Sequence, residues 1–513
     1  MSEQLSASRE RKFGVALSYV SMSLTVVVGL VLTPFMLRKL GQAEYGLFQL
    51  MGSLIAYLTI LDLGFSNATI RYVAKYRAEG NREGEENFLA ISCIIYGLIG
   101  VLVLIVGAVL YCNISRIFKN SLSLQEIDKA HIMFVIMLFN ILITLLSNPM
   151  MGAISGQERF IFPRFAGVIK IMARMVLLFI LLSVGYKAIG IVVLDTLLNM
   201  MLIGISAFYA FSICKISIKF HYFDKALLSE VFSYSFFIFI NLIFEQIYWK
   251  LDQVILGIMT STSKVAVYAV GLQICGYYRS LSLGLMSVFL PRAMQMVTRG
   301  SSNEELTDLM IRVGRIQLML IGLVYCGFVL FGREFITLWA GGSYIDAYAI
   351  ALIVMTPLTI GPLFQNIGLI ILQAKNMLAF RAFLYLTASL INVYLTIIFV
   401  RHFGYIYAAV ATSIGFIIGG VVGINIYYHY KVGLNIPRFF RETLRGTLYC
   451  LLACAAAGIG INFIPGHSWR IFSVRVVLLS AVYVILIWKF ACNNTEKKLF
   501  GGPVIGAYRA VFG

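Results

Sequence analysis

The sequence predicts an all-α, polytopic membrane protein of about 14 transmembrane helices, and three observations lead to this prediction. The 513-residue chain is 60% hydrophobic and 12% charged, against roughly 25% charged residues in a soluble domain, and its mean hydropathy is +0.89. Apolar stretches of about 20 residues, the length that one membrane-spanning helix needs, recur from end to end. The alternation of apolar and polar residues that is typical of membrane β-barrels is absent from the sequence.

Polar residues and Gly/Pro breaks divide the apolar stretches into the predicted spans. The first span is too long for the core of a signal peptide, so we expect it to be retained. The spacing of Ser302 and Glu305 predicts a capping box for a short cytoplasmic helix between spans 8 and 9. The predicted spans are 13–37, 45–70, 88–112, 131–152, 164–184, 189–213, 230–258, 265–290, 314–338, 347–372, 381–401, 405–430, 444–464 and 471–491.

The basic residues predict the orientation. With a cytoplasmic N-terminus, and with residues near a span end counted on the adjoining side, 26 of the 41 lysines and arginines fall on the cytoplasmic side, 11 fall outside and 4 lie deep within spans. Because positive residues favour the cytoplasmic side, the sequence predicts that both termini are cytoplasmic (N-in/C-in). This topology and attraction to anionic lipid account for most of the net charge of +18, and we expect no nucleic-acid binding.

An internal repeat predicts two pseudo-symmetric six-helix lobes. GAISGQERF (152–160) ends span 4 and GLIILQAKN (368–376) ends span 10, at an offset of 216 residues. GYKAIG (185–190) opens span 6 and GYIYAA (404–409) opens span 12, at an offset of 219 residues. Two six-helix repeats insert the same way round, an arrangement that transporters use. The predicted domains are an N-lobe (1–220, spans 1–6), a C-lobe (221–432, spans 7–12) and two C-terminal helices with a cytoplasmic tail (433–513).

Few residues suggest covalent or metal chemistry. The eight cysteines form no CxxC pair and lie mostly within or at the ends of spans, where they behave as small apolar residues. The five histidines are scattered near predicted helix ends. The longest outer loop, 113–130, holds no convincing acid–base or nucleophile set, which disfavours an enzyme. We expect no metal site and no cofactor.

Several motifs resemble one transporter family. LTPFMLRKLGQAEYGLFQL (32–50) looks like the opening of bacterial polysaccharide-biosynthesis flippases, the O-antigen (Wzx-type) and teichuronic-acid-type exporters. DLGFSNATIRYVAKY (62–76) is similar to the end of their second span. LDQVILG (251–257) and VAVYAVGLQI (265–274) resemble their seventh and eighth spans. The two lobes plus two helices are also similar to the plan of the superfamily that contains them, the multidrug/oligosaccharidyl-lipid/polysaccharide (MOP) exporters.

The resemblance implies a multi-pass flippase of the bacterial plasma (inner) membrane. Such a protein turns an undecaprenyl-diphosphate-linked oligosaccharide, for example an O-antigen or capsule repeat unit, from the inner to the outer leaflet by alternating access. The implied partners are this substrate, membrane lipid and, further away, a polysaccharide polymerase and glycosyltransferases. One chain already holds both lobes, so we expect a monomer. A drug or organic-cation antiporter of the same superfamily is the alternative.

Eight charged residues are predicted to lie deep within spans, at least six positions from either end. A charge at the bilayer centre costs roughly 2.5–3.5 kcal/mol. Four are positive and four are negative, and this balance disfavours a cavity built for organic cations. They are Asp62, Lys170, Arg174, Asp195, Glu245, Lys250, Asp252 and Arg279.

Lys170 and Arg174 lie one turn apart in the otherwise apolar stretch GVIKIMARMVLLF (167–179), so they share a helix face. Arg174 either pairs with a carboxylate, Asp62 or Asp195, or faces the cavity and contacts the substrate diphosphate, which suits a guanidinium. Lys170 either joins that contact or extends to the inner headgroups. The same alternatives hold for Arg279 in span 8, predicted to face Arg174 across the cavity.

Span 7 and the remaining charged residues give further candidates. Arg38, at the outer mouth of span 1, is either a solvated loop residue or a release-side phosphate contact. Asp62 and Asp195 are candidate carboxylates for a coupling cation. A local ion pair of Lys250 with Glu245 or Asp252 is the alternative to a role of span 7 in a sugar path. The predicted sugar-path residues are Asn241, Glu245, Tyr248, Trp249, Lys250 and Asp252.

Overall fold

The regular backbone of the protein is helical, which confirms the predicted all-α class. The computed structural model describes residues 2–223, 225–361, 363, 365–375, 377–494 and 496–497, and these contain no β-strand. The α-helices are α1 Ser2–Ala56, α2 Phe65–Ala78, α3 Arg82–Ile117, α4 Leu124–Gly156, α5 Ile161–Val184, α6 Ala188–Phe208, α7 Lys225–Gln246, α8 Asp252–Met259, α9 Thr262–Thr298, α10 Asn303–Trp339, α11 Asp346–Ile360, α12 Asn366–Ala374, α13 Leu378–Phe403, α14 Tyr407–Phe416, α15 Ile424–Tyr427, α16 Ile436–Leu444, α17 Thr447–Asn462 and α18 Trp469–Leu486.

The helices make the chain a multi-pass membrane protein. In the described residues, ten helices are long and apolar enough to cross a membrane, or up to twelve if each of two bent pairs forms one span. The predicted number of fourteen is not established, since predicted spans 1 and 2 lie on one helical run, Ala16–Ala78. Within that run Gly41 has a φ of 77°, which glycine adopts without a Cβ penalty. The predicted loop is therefore reduced to a kink.

Side-chain caps define where the long helices begin. Ser302 accepts a hydrogen bond from the backbone N–H of Glu305, and the Glu305 carboxylate accepts one from the backbone N–H of Ser302, so the predicted capping box is confirmed. The prediction of a short helix after it is wrong, because the box opens α10, which is 37 residues long. Ser123 and Glu126 form the same arrangement at the start of α4. Such caps satisfy backbone donors that the first helical turn leaves without partners.

The helices group into two units. One unit comprises residues 1–270 and 385–411, and the other comprises residues 271–384 and 412–513. These boundaries differ from those of the predicted lobes, because residues 221–270 and 385–411 join the first unit. The lobes were defined by the sequence repeat and stay a prediction.

Two glycines allow close packing in the first unit, where α1 contacts both α5 and α8. A Cβ added to Gly46 would lie 1.8 Å from the carbonyl oxygen of Thr262. A Cβ added to Gly257 would lie 2.3 Å from Cδ1 of Leu50. Neither position has room for a larger residue, as is usual where membrane helices approach closely.

The α17–α18 hairpin in the second unit is fastened to α10 near both of its ends. At one end the Nε of Arg315 lies 2.7 Å from Oε1 of Glu496. At the other end Arg475 on α18 pairs with Glu334 on α10. Between them the Tyr483 hydroxyl donates to a backbone carbonyl of α10 at 2.8 Å. The two C-terminal helices are thus built into the second unit.

The cysteines take no part in disulfides. All eight are free thiols, and four of them are buried. Cys492 lies just after the helical segment Ile487–Ala491. Burial and the nearby carboxylate of Glu496 raise the pKa of its thiol. A protonated thiol is a poor nucleophile, so this residue is suited to packing rather than chemistry.

Candidate functional site

Arg174 on α5 forms a bidentate pair with Asp195 on α6. Its Nε lies 2.5 Å from Oδ1, and its Nη2 lies 2.9 Å from Oδ2. The two side chains are 32% and 29% exposed. Of the two carboxylates predicted as partners, Asp195 is the one that pairs. Nη1 of Arg174 makes no hydrogen bond with the described residues.

Lys170, one turn before Arg174, is held by neutral groups. Its Nζ donates to Oδ1 of Asn199 at 3.0 Å. Nδ2 of Asn199 in turn donates to Oδ1 of Asn140 and to Oγ1 of Thr144, both at 2.7 Å. These hydrogen bonds link α4, α5 and α6. The polar ladder, as we call it, consists of Asn140, Thr144, Lys170, Arg174, Asp195 and Asn199.

The polar ladder is built from helical periodicity. Each of the three helices contributes two polar residues four positions apart, which places them on one helix face. Asn140, Thr144 and Asn199 were missed by the sequence analysis, which considered only charged residues in the spans. Their four-residue spacing is the signal that could have found them.

The charge and exposure of the polar ladder restrict what it can face. Arg174 and Asp195 neutralise each other, so Lys170 leaves the set with one net positive charge. Charged groups within the hydrocarbon region are costly, and as a rule face protein or a water-filled cavity. Arg174 and Asp195, each about a third exposed on apolar helices, are therefore expected to face a water-filled passage or another part of the protein, and not the acyl chains of lipid.

The predicted seventh span includes α7, a π-helical segment (Ile247–Leu251) and α8. Tyr248 and Asp252 are each only 1% exposed, which runs against their predicted place on a sugar path. The Asp252 carboxylate accepts hydrogen bonds from Tyr268 at 2.6 Å and from Thr396 at 3.0 Å. Four-residue spacing puts Tyr248 and Asp252 on one inward face.

Lys250 lies in the π-helical segment and is half-buried. It makes no hydrogen bond or ion pair with the part of the chain that the structure describes. The alternative of a local pair with Glu245 or Asp252 is therefore wrong within that part. π-helical turns often occur at functional sites. The other predicted sugar-path residues, Asn241, Glu245 and Trp249, are half-buried and make further interactions.

Asp62 connects three helices. Its carboxylate accepts hydrogen bonds from the Tyr96 hydroxyl at 2.7 Å and from Nδ2 of Asn148 at 3.1 Å.

The contact between Asn148 and Asp62 has a counterpart in the second unit, where Nδ2 of Asn366 donates to Oγ of Ser282 at 2.9 Å. Asn366 follows Asn148 by 218 positions, and Ser282 follows Asp62 by 220. The matched contacts support the internal repeat and give Asp62 a bridging role.

The remaining predicted cations are in different surroundings. Arg279 is half-buried on α9, in the unit that does not contain Arg174. Their predicted approach across a cavity stays a prediction. Arg38 is exposed and makes no hydrogen bond or ion pair with the described residues. It is therefore available to solvent or to an anionic group.

Sequence comparisons connect the chain with polysaccharide biosynthesis. Residues 13–297 match the family described as Polysaccharide biosynthesis protein. "Probable flippase AglR" of Haloferax volcanii is 22% identical over 416 residues, covering 78% of this chain and 79% of the relative. "Uncharacterized membrane protein EpsK" of Bacillus subtilis (strain 168) is 22% identical, covering 93% of this chain and 94% of the relative.

Structure comparisons identify the fold. A "Lipid II flippase MurJ, inward closed conformation" matches with a TM-score of 0.67 and 16% identity, covering 96% of this chain and 99% of the other. An inward-facing multidrug resistance MATE transporter of the MOP superfamily matches with a TM-score of 0.62 and 16% identity, covering 81% and 99% of the two chains. At this identity the likeness concerns the fold alone.

Proposed function

The chain belongs to the family of polysaccharide biosynthesis proteins, and we propose on this basis that it is a flippase for a lipid-linked oligosaccharide. The resemblance of its motifs to that family, predicted from the sequence, is thereby confirmed. The proposed substrate is an oligosaccharide on undecaprenyl diphosphate, moved from the inner to the outer leaflet of the plasma membrane. Its proposed partners are this substrate and membrane lipid.

The observation that carries the proposal is a set of cations in helices that must cross a membrane. The polar ladder has one net positive charge, and Lys250 has no partner among the described residues. Holding a cation there is costly unless an anion compensates for it. A diphosphate supplies that compensation, whereas an organic cation would be repelled.

The polar ladder suggests how the diphosphate is held. Asp195 fixes the orientation of Arg174 and leaves Nη1 to donate to a phosphate oxygen. The Lys170 ammonium uses one of its three donors for Asn199, so another can donate to a phosphate oxygen, a hydrogen bond in which both groups are charged. Because Asp195 offsets one charge, the site attracts the diphosphate without holding it so tightly that release becomes slow.

The proposal also covers the energy source for flipping, a cation that binds to carboxylates within the helices. Asp62 and Asp195 are the proposed carboxylates for a coupling cation. Each carboxylate accepts hydrogen bonds from side chains, Asp62 from Tyr96 and Asn148, and Asp195 from Arg174. Protonation or cation binding would have to replace these bonds, so coupling would change how neighbouring helices are connected.

The test is a leaflet-exposure assay in liposomes. Purified protein is reconstituted with a labelled undecaprenyl-diphosphate oligosaccharide, and a membrane-impermeant sugar probe reports its arrival in the opposite leaflet. Wild type should flip the lipid, and Arg174→Gln should lower the rate at least tenfold if one charge-assisted bond is lost. Arg116→Gln, an exposed arginine at the end of α3, is the matched control.

One result would overturn the flippase proposal, and another would overturn the role of the polar ladder. If wild type moves an organic cation and not the lipid, the antiporter alternative replaces the flippase. If Arg174→Gln and Arg116→Gln both flip at the wild-type rate, the polar ladder is a structural element and the diphosphate binds elsewhere.

A further inference from the structure

A cavity lies near the C-terminal end of α10, in the second unit. Its volume is about 480 Å³, and all of its lining residues belong to the second unit. The predicted topology places this end of α10 on the outer side of the membrane. The lining residues are Leu330, Arg333, Glu334, Thr337, Leu338, Ile345, Asn462, His467 and Arg475.

The buried pair of Arg475 and Glu334 in this cavity has two polar atoms without a hydrogen-bond partner in the described chain. The Arg475 side chain is 4% exposed and the Glu334 side chain is 11% exposed. Arg475 uses Nη1 for Glu334 and Nη2 for two backbone carbonyls, but its Nε has no hydrogen-bond partner in the described chain. Oε1 of Glu334 likewise accepts no hydrogen bond there, although Nδ1 of His467 lies 3.7 Å away.

An unsatisfied buried polar atom costs free energy, and native proteins rarely keep one without a reason. Here the two unsatisfied atoms are Nε of Arg475, a donor on a cation, and Oε1 of Glu334, an acceptor on an anion. A ligand that satisfies both needs an acceptor oxygen for Arg475 and a donor such as a hydroxyl group for Glu334, and a cationic donor favours an anionic acceptor. A phosphate group next to a hydroxyl has that chemistry.

The charge of the cavity favours an anion. Arg333 is exposed at its rim, Arg475 forms its wall, and His467 is 86% exposed at its mouth. Glu334 is the one carboxylate among the lining residues. The lining thus carries a net positive charge of one with His467 neutral, and of two when the imidazole is protonated.

The apolar part of the lining favours a lipid over a soluble phosphate. Leu330, Leu338 and Ile345 are among the residues that line the cavity. The neighbouring ends of α10 and α18 carry an aromatic cluster in which the ring centroids of Trp469 and Phe472 are 5.7 Å apart. Tryptophan concentrates at the headgroup level of membranes, which is the depth at which a lipid phosphate lies.

We infer that this cavity binds the phosphoglycerol headgroup of an anionic membrane lipid. The phosphate meets Arg333 and Nε of Arg475, a glycerol hydroxyl donates to Oε1 of Glu334, and the acyl chains follow the apolar side of the cavity. The bound lipid would stabilise the junction of α10 with the α17–α18 hairpin.

The test measures lipid binding to the full chain, purified in detergent and stripped of lipid. Short-chain phosphatidylglycerol, short-chain phosphatidylcholine and sn-glycerol 3-phosphate are titrated separately, with binding read by native mass spectrometry and by the shift in melting temperature. Phosphatidylglycerol should bind at least tenfold more tightly than the other two probes. Arg333→Gln should weaken it about tenfold, the loss of one charge-assisted bond, and Arg116→Gln should not.

Arg333 and His467 are exposed, so Arg333→Gln and His467→Gln can be tested without disturbing the buried pair. His467→Gln should also weaken phosphatidylglycerol binding, by less than Arg333→Gln. If glycerol 3-phosphate binds as tightly as the lipid, the site takes a soluble phosphate and the lipid assignment is overturned. If phosphatidylglycerol and phosphatidylcholine bind alike, or Arg333→Gln matches wild type, the Arg475–Glu334 pair is only a structural clamp.

Discussion

At the scale of single residues, two membrane lysines differ in what supports them. Lys170 donates to Asn199, whereas Lys250 has no hydrogen bond or ion pair with the described residues. A charged residue at the bilayer centre costs roughly 2.5–3.5 kcal/mol on insertion scales. The fold does nothing visible to offset that cost at Lys250, which points to a role in binding an anion.

Lys250→Gln is expected to separate stability from function. Removing an unpaired cation should leave the melting temperature in detergent unchanged or raise it, because no bond is lost and a desolvation cost disappears. The flipping rate should fall at least severalfold if Lys250 contacts the diphosphate.

Lys250→Arg keeps the charge and is the control that should retain most of the flipping activity. A Lys250→Gln variant that is less stable than wild type but flips normally would show that the lysine serves the fold instead.

At the scale of helices, a buried arginine organises the cytoplasmic end of the C-terminal hairpin as the topology predicts it. Arg315 on α10 donates through Nε and Nη2 to the Glu496 carboxylate. It also donates to the backbone carbonyls of Glu442, Arg445 and Ala491. One side chain thus connects α10 with the ends of α16 and α18.

Glu496→Ala should destabilise this junction. It leaves the 8%-exposed Arg315 without its counter-charge, and breaking a buried ion pair costs roughly 3–5 kcal/mol. Thermal unfolding and limited proteolysis between α16 and α18 would measure the effect. Glu304→Ala, an exposed acid on the same helix as Arg315, should change stability by no more than about 0.5 kcal/mol. Equal effects of the two variants would contradict the assignment.

Two glycines on α1 should respond in opposite ways to alanine. A Cβ at Gly46 meets a backbone carbonyl at 1.8 Å, whereas nothing lies within 4 Å of a Cβ at Gly52. Gly46→Ala should cost about 1–3 kcal/mol through overpacking. Gly52→Ala should be neutral or gain about 0.5–1 kcal/mol through helix propensity. Melting curves of the two variants in detergent would distinguish them.

At the scale of the whole molecule, contacts recur at the period of the sequence repeat. Phe162 stacks on Tyr209 with ring centroids 3.8 Å apart, and Phe380 stacks on Tyr427 at 4.2 Å. The second pair follows the first by 218 positions, the separation that also relates Asn148 to Asn366. A duplication that preserves contacts as well as motifs supports the predicted two lobes.

The predicted orientation can be checked with single cysteines in a background without native cysteine. Gln125→Cys lies in the predicted outer loop and Glu79→Cys in the predicted cytoplasmic loop, and both residues are exposed. A membrane-impermeant maleimide applied to intact cells should label the Gln125→Cys variant alone. Permeabilised cells should label both variants. Labelling of Glu79→Cys in intact cells would reverse the predicted topology.

The sequence by itself determined the class of protein and the family. Apolar stretches recur because each span must bury its own backbone in lipid, and that requirement acts locally, residue by residue. Family motifs such as LTPFMLRKLGQAEYGLFQL are equally local. The capping box at Ser302 and Glu305 was predictable for the same reason, since its hydrogen bonds join residues three positions apart.

Only the tertiary structure decided which polar side chains meet. The sequence offered Asp62 and Asp195 as equal partners for Arg174, and the packing of α5 on α6 selected Asp195. The sequence also suggested an ion pair for Lys250, but this lysine has no partner among the described residues, and Asp252 instead accepts hydrogen bonds from Tyr268 and Thr396. These choices depend on the rotation and depth of one helix against another. Spacing along the chain fixes the face that a residue occupies, but not the neighbour that the face meets.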